Sequence, residues 1–372
     1  MMMSKNLSIY IHIPFCDSKC YYCAFCSGKF SEDKDKYFNF LKDEIKERSK
    51  FTREYIVNTI YIGGGTPSSV DIKYIQDIVS LLYSCYNISN DCEFTIEINP
   101  CSCTKEKLLK YKELKINRIS FGVQSLDDNL LKSIGRKHSS KQAISSIKLA
   151  KECGFKNISA DMLIGLPNQT NEILLQDIDK LIELDVKHLS CYMLMIEDGT
   201  KMKNIFDTCS QIFPSEDECV SMYNSVFNHL KKRGYHRYEI SNFSLENFES
   251  RHNQCYWRLG EYLGFGISAH SYFNGQRIAN PSTFLEYYHN IQIIEDISLE
   301  ESIEEYIMLG LRTEKGIDLD VLKSQFNHDL LIKKADKIDM LLKKGIVNIK
   351  DNFLSISDNY FGVSNKIILD LI

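Results

Sequence analysis

Short apolar runs rich in β-branched residues recur along the first half of the chain. Each gives way to a longer charged segment whose apolar positions repeat every three to four residues. The short runs, at residues 8–13, 59–62, 93–98, 118–122, 157–163 and 188–195, predict strands. The segments at 35–50, 72–83, 104–114, 141–153 and 171–184 predict helices. Strand then helix, repeated along the chain, gives a parallel sheet, because parallel neighbours need a long crossover and a helix supplies it. The fold class is therefore α/β, with about six parallel strands. Crossover helices cover such a sheet, so ligands are expected at the carboxyl ends of the strands.

From about residue 299 the pattern changes. A Glu-rich helix at 300–311, a helix at 332–344 and a hairpin turning at Asp351-Asn352 predict a small α+β unit of winged-helix-like outline. The division expected is 1–240 for the α/β unit, 241–298 for an extension and 299–372 for the C-terminal unit. Residues 299–330 are acidic and show no basic recognition face, so packing or docking is expected there rather than DNA binding. Composition narrows the rest. A chain of 372 residues with 44% hydrophobic content can bury a large core and a smaller one. A net charge of −5 with mixed signs does not suggest a nucleic-acid partner. No apolar run approaches the ~20 residues of a membrane span, and Met1–Asn6 lacks a signal-peptide core. A cytoplasmic protein is expected, with peripheral membrane contact left open. Thirteen scattered cysteines, an odd number, fit a reducing compartment better than a disulfide framework.

Cys16, Cys20 and Cys23 stand at C-x3-C-x2-C spacing just after the first predicted strand. Three thiolates on a short loop can hold three irons of a [4Fe-4S] cluster and leave the fourth open to a chelating small molecule. Zinc would want a fourth ligand, and Cys26 is the nearby candidate. Further polar residues follow the other strands. Gly63-Gly-Gly-Thr-Pro67 offers exposed N–H groups and close backbone approach, or is simply a tight bend. Glu97, Gln124, Arg136 and Asp161 fall at or near later strand ends, where each could be a satisfied sheet end or part of a shared mouth.

The stretches Tyr10-Ile-His-Ile-Pro-Phe-Cys16-x3-Cys20-Tyr-Tyr-Cys23, Gly63-Gly-Gly-Thr-Pro, Ile-Glu97-Ile-Asn-Pro, Gly-Val-Gln124-Ser, Gly-Arg136 and Asp161-Met-Leu-Ile-Gly-Leu-Pro carry a resemblance. Together they resemble radical S-adenosylmethionine (SAM) enzymes of the oxygen-independent coproporphyrinogen III oxidase group, and the resemblance implies that the parallel sheet curls into a partial (β/α)6 barrel of the TIM type. The resemblance implies that Cys16, Cys20 and Cys23 hold the cluster and that its open iron takes the amino and carboxylate groups of SAM. It implies a SAM pocket at Tyr10, Tyr22, Gly64, Gly65, Thr66, Glu97, Gln124, Arg136 and Asp161, some of which serve a second SAM in the oxidase. It further implies reductive cleavage of SAM to a 5′-deoxyadenosyl radical, with electrons from a donor such as flavodoxin or ferredoxin. The oxidase group carries an additional cysteine two residues past the third ligand; here that residue is Phe25, and Cys26 comes one place late.

A further element, Arg251-His252-Asn253-Gln254-Cys255-Tyr256-Trp257, resembles the H-N-x-x-Y-W motif of the HemW heme chaperones. With Phe25 it turns the expectation toward heme binding and delivery to an apo-haemoprotein, the oxidase reaction of porphyrin biosynthesis being the alternative. His252 offers an imidazole for heme iron, and Tyr256 and Trp257 offer flat surface for a porphyrin. The bland reading is a hydrogen-bonded core histidine beside aromatics. Cys255 is a second candidate ligand.

Overall fold

The computed structural model describes residues 5–30 and 32–372. Six strands, β1 (Lys5–Ile13), β2 (Tyr55–Gly64), β3 (Ile88–Ile98), β4 (Arg118–Gln124), β5 (Asn157–Ile164) and β6 (His188–Met193), lie side by side in chain order. Every neighbouring pair among them is parallel. The crossovers are α1 (Lys34–Ser49), α2 (Ile72–Cys85), α3 (Lys105–Glu113), α4 (Asp128–Ser133) with α5 (Ser140–Glu152), and α6 (Asn171–Glu183). Each helix starts on a side chain that accepts first-turn N–H groups, namely Asp33, Asp71, Thr104, Asp127, Ser139 and Thr170. Such caps contribute about 1 kcal/mol apiece.

The strands alternate, with register shifts at Asn58 in β2 and near Gln124 in β4. In β1, Ile9, Ile11 and Ile13 enter the core beneath the helices, and in β3, Phe94, Ile96 and Ile98 do the same. Burial of each such side chain stabilises by roughly 1.5–3 kcal/mol. The intervening positions form a polar interior: Ser8 and His12 from β1, Thr59 and Tyr61 from β2, Glu93 and Glu97 from β3, Arg118 and Ser120 from β4, Ser159 and Asp161 from β5, His188 and Ser190 from β6.

Beyond β6 come α7 (Lys201–Cys209), α8 (Glu216–Lys232), β7 (His236–Arg237) and β8 (Asn242–Ser244). β8 pairs antiparallel with β6 and closes that side. The chain then forms α9 (Arg251–Trp257) and crosses to the opposite edge, where β9 (Tyr262–Phe265) runs parallel to β1. Three antiparallel strands extend that edge: β10 (His270–Phe273), β11 (Gln276–Ala279) and, after α10 (Phe284–Tyr288), β12 (Ile293–Asp296). None of the strands from β7 to β12 exceeds four residues, too short for a periodicity argument to register. No helix among the described residues is long and apolar enough to cross a membrane.

The C-terminal unit comprises α11 (Leu299–Gly310), β13 (Ile317–Asp318), α12 (Leu319–Phe326), α13 (Leu330–Lys333), α14 (Ala335–Lys343), β14 (Val347–Lys350), β15 (Phe353–Ile356) and α15 (Ser364–Leu371). Its three strands form an antiparallel sheet in the order β13-β15-β14. It has its own core around Ile307, Leu322, Leu341 and Leu354. The hairpin turns where expected: Asp351 and Asn352 take φ of 50° and 63°, as a two-residue turn of this hand requires. The helix predicted at 332–344 is instead two helices broken at Lys334 (φ −119°, ψ 28°). The break lets Leu330 and Ile338 both enter the small core.

Candidate functional site

The loop after β1 carries the three cysteines and is tied down at both ends and in the middle. Cys16 N–H donates to Gly28 O at 2.9 Å, and Gly28 N–H donates to Pro14 O at 3.0 Å. Tyr21, midway, donates to Ile134 O at the end of α4 and accepts from Met202 N–H in α7. The glycine turn after β2 is lashed to the same loop, Gly65 N–H donating to Ile13 O at 2.7 Å and Thr66 N–H to Phe15 O at 2.9 Å. A Cβ on Gly65 would stand 2.8 Å from Phe15 O, so this approach excludes any side chain.

Each thiol has its own polar partner on a different segment. Thr66 Oγ1 lies 3.4 Å from Cys16 Sγ, Ser27 Oγ 3.4 Å from Cys23 Sγ, and Arg136 Nη1 3.5 Å from Cys20 Sγ. Hydroxyl and guanidinium groups donating to sulfur favour thiolates, the form that ligates metal. Without metal, burial pushes the Cys16 thiol up, and the Thr66 and Ser27 hydroxyls pull it back down. Among the described residues no group of three His, Cys, Asp or Glu side chains is placed to hold a single metal ion. A cluster asks for something else, one thiolate on each of three irons. The Cys26 thiol faces Ser282 O at 3.4 Å rather than this space.

The loop roofs a cavity of ≈ 450 Å³ whose walls include Cys16, Cys20, Cys23, Tyr22, Gly64, Gly65, Thr66, Glu97, Gln124, Arg136 and Asp161. The residues expected from six separate chain segments thus meet in one space. Glu97 accepts from Tyr61 OH at 2.9 Å and Gly64 N–H at 3.1 Å. Burial, with the nearby Asp161 carboxylate, pushes its pKa up to about 7. Asp161, also raised by burial, accepts from Ser120 at 3.1 Å. Gln124 ends β4 with φ of 70°, where the pairing with β5 shifts register; such strain collects at ligand sites. Arg136 donates to Gly122 O while its buried Nε has no partner.

Two groups of expected residues fall elsewhere. Tyr10 is not in the cavity wall. Its hydroxyl lies 2.9 Å from His12 Nδ1, and His12 Nε2 lies 2.9 Å from Cys26 O, so Tyr10 supports the cysteine loop from behind. His252 is 1% exposed with both ring nitrogens engaged, Nδ1 2.8 Å from Thr59 Oγ1 and Nε2 2.7 Å from Tyr256 OH. Because Thr59 Oγ1 donates onward to Ser8 Oγ, it accepts from His252 Nδ1–H, and Nε2 accepts from the phenol. Burial and the neighbouring Arg118 lower the His252 pKa to about 3, so the ring is neutral and spoken for. In this conformation His252 and Tyr256 anchor α9; neither is presented to a porphyrin. Cys255 Sγ faces Glu261 O at 3.7 Å and lines neither large cavity. Trp257 faces away from the cysteines into a second cavity.

The sequence reading missed Tyr61, Arg118, Ser120, Ser190, Tyr192 and Asn253, all lining the first cavity. Arg118 is 1% exposed, makes no ion pair among the described residues, and leaves Nε without a partner. The signal for most of them was available: every second residue of β2 to β6 near the carboxyl end is polar, a period that marks a polar barrel interior.

Comparison with known proteins fits this geometry. The profile of the radical SAM superfamily matches residues 10–181, and that of the HemN C-terminal domain matches residues 297–359. The fold is similar to that of coproporphyrinogen III oxidase (HemN) from Escherichia coli, a radical SAM enzyme, with a TM-score of 0.84 over 99% of this chain and 90% of that one at 21% identity. In sequence the chain is 36% identical to the heme chaperone HemW of Bacillus subtilis (strain 168), over 92% of each chain. It is 37% identical to that of Lactococcus lactis, over 87% of this chain and 86% of the relative. Membership of the radical SAM superfamily implies SAM and a [4Fe-4S] cluster, and the donor set around Cys16, Cys20 and Cys23 suits both. A barrel with a cysteine-roofed cavity and a C-terminal unit of the HemN kind, alike in sequence over nearly its whole length to proteins of one name, belongs to the HemW heme chaperone family.

Proposed function

We propose that the chain is a heme chaperone: it binds iron porphyrin, carries a SAM-liganded [4Fe-4S] cluster, and delivers heme to apo-haemoproteins in the cytoplasm. The observation that carries this reading is the near full-length likeness to the HemW proteins. Phe25 adds to it. At the position where the oxidase group has its additional cysteine, this chain places a phenylalanine that is 70% exposed at the cavity wall.

When bound, the cluster supplies single electrons and an open iron for the amino and carboxylate groups of SAM. Cys16, Cys20 and Cys23 would hold it, with Thr66, Ser27 and Arg136 donating to their sulfurs. Gly64, Gly65 and Thr66 provide a floor flat enough for close approach. Glu97 and Asp161 offer negative charge to a cationic ligand, and Gln124 and Tyr22 frame it. Electrons would come from a small carrier such as flavodoxin or ferredoxin. Coproporphyrinogen III, SAM and reductant incubated with the reconstituted protein should yield no protoporphyrinogen on chromatography, while hemin added to the same protein should give a shifted Soret band. Efficient decarboxylation would make the oxidase reading correct instead.

A further inference from the structure

Helix α9 separates two cavities. Asn253 faces the cysteine-lined one, whereas Gln254, Trp257 and Arg258 face a second, of ≈ 730 Å³. The far side of this second cavity is built by the C-terminal unit. Its walls mix polar and charged side chains with aromatic ones, the latter being Trp257 from α9, Tyr272 from β10, and Tyr306, Phe326 and Phe353 from the C-terminal unit. Arg258 and Lys315 lie on the same surface, exposed and without an ion-pair partner among the described residues. The acids nearby are Glu249, paired with His236, Asp318, which caps α12, and Glu314, which lacks a side-chain partner there.

His236 also lines this cavity, with Nε2 2.8 Å from Glu249 Oε1. A carboxylate accepts, so Nε2 carries the proton. Nδ1 has no hydrogen-bond partner among the described residues, and in the neutral ring it holds the lone pair. One ring nitrogen held by a carboxylate and the other free is the arrangement of a metal-ligating imidazole. An iron porphyrin presents a flat apolar disc, an iron with axial positions to fill, and two carboxylates along one edge.

Building on the heme reading above, we propose that the second cavity is the porphyrin site. His236 is the axial ligand, the aromatic side chains enclose the disc, and Arg258 with Lys315 takes the propionates. The Arg251–Trp257 segment then serves heme through its outer face, Trp257 packing on the disc while His252 and Tyr256 fix the helix from within.

The test is a hemin titration of the full chain with its cluster reconstituted, followed by absorbance. Wild type should give a shifted Soret band, His236→Ala should lose that shift, and Trp257→Ala should bind about tenfold more weakly, with iron content and circular dichroism unchanged. His236→Cys adds a reading that does not depend on lost binding: a thiolate ligand moves the Soret position rather than abolishing it. Wild-type binding left unaltered in position and affinity by all three substitutions would overturn the second-cavity site while leaving the heme reading standing. No specific hemin binding by wild type would overturn the heme reading itself.

Discussion

A carboxylate with an ordinary pKa of 4.5, pushed up to about 7 by burial and by Asp161, is half ionised near neutrality, and this is the state of Glu97. A cationic ligand favours the ionised form, so SAM affinity should rise with pH through about 7 and level off above it. Glu97→Gln should weaken SAM binding about tenfold or more and flatten that dependence; calorimetry at pH 6 and pH 8 separates the two effects. In the ligand-free fold the sign reverses. The folded state holds this proton more tightly than the unfolded chain, so between about 4.5 and 7 rising pH lowers stability through this group. At Gly64 the backbone has φ of 113°, and a Cβ would stand 2.6 Å from the His12 ring. That ring also holds Cys26 O. Gly64→Ala should therefore reduce cluster content as well as SAM affinity, with a strain cost of about 1–3 kcal/mol, measurable as a lower melting temperature and lower iron per chain. The glycine and the glutamate were visible in the sequence as motif residues; Arg118 was not, and His12 stood inside the Tyr10-to-Cys16 stretch with no role assigned, because a barrel interior is assembled from six strands and one strand shows only its own alternation.

The strands and crossover helices were legible because their apolar positions repeat over enough residues to define a face, and the observed bounds differ at the ends. β2 starts at Tyr55 rather than Thr59 because Tyr55, Ile56 and Val57 are apolar too, Tyr55 and Val57 entering the core, and only Asn58, where the register against both neighbours shifts, interrupts the run. Helix α9 was legible only as a motif, and its role depends on partners far along the chain. Glu93, buried in β3, accepts from Arg251 and His252 N–H at 3.0 Å each, and Ser250 caps Asn253 N–H. Glu93→Ala should leave two buried donors unsatisfied and destabilise by about 2–4 kcal/mol. Faster hydrogen exchange at the Arg251 and His252 amides than at those of β3 would locate the damage in α9; equal protection in variant and wild type would contradict it. For the loop after β1 the spacing left zinc open beside a cluster and the family resemblance pointed to the cluster; Cys20→Ala should remove the broad absorbance at about 400 nm and most of the iron. Retention of full iron by the triple variant at Cys16, Cys20 and Cys23 would disprove the cluster assignment.

At the scale of the whole molecule, two large cavities share one polar helix, α9, which packs against β2 on one side and α11 of the C-terminal unit on the other. The change of character near residue 299 predicted a separate C-terminal unit, yet gave no sign that its aromatics close a space against the barrel, because cavities between units leave no local periodicity. The position of α9 has a thermodynamic corollary. Across a wall common to the two proposed ligand sites one constraint holds: whatever factor SAM applies to the dissociation constant of hemin, hemin must apply to that of SAM, since binding free energies close around a cycle. Differential engagement of Asn253 on one side and Trp257 on the other would make that factor about 5 to 150. Measuring hemin affinity with and without SAM, and SAM affinity with and without hemin, should return one shared number. A value of one would describe a rigid partition, whereas a larger value would make the helix a means by which the state of the cofactor cavity sets how firmly the cargo is held.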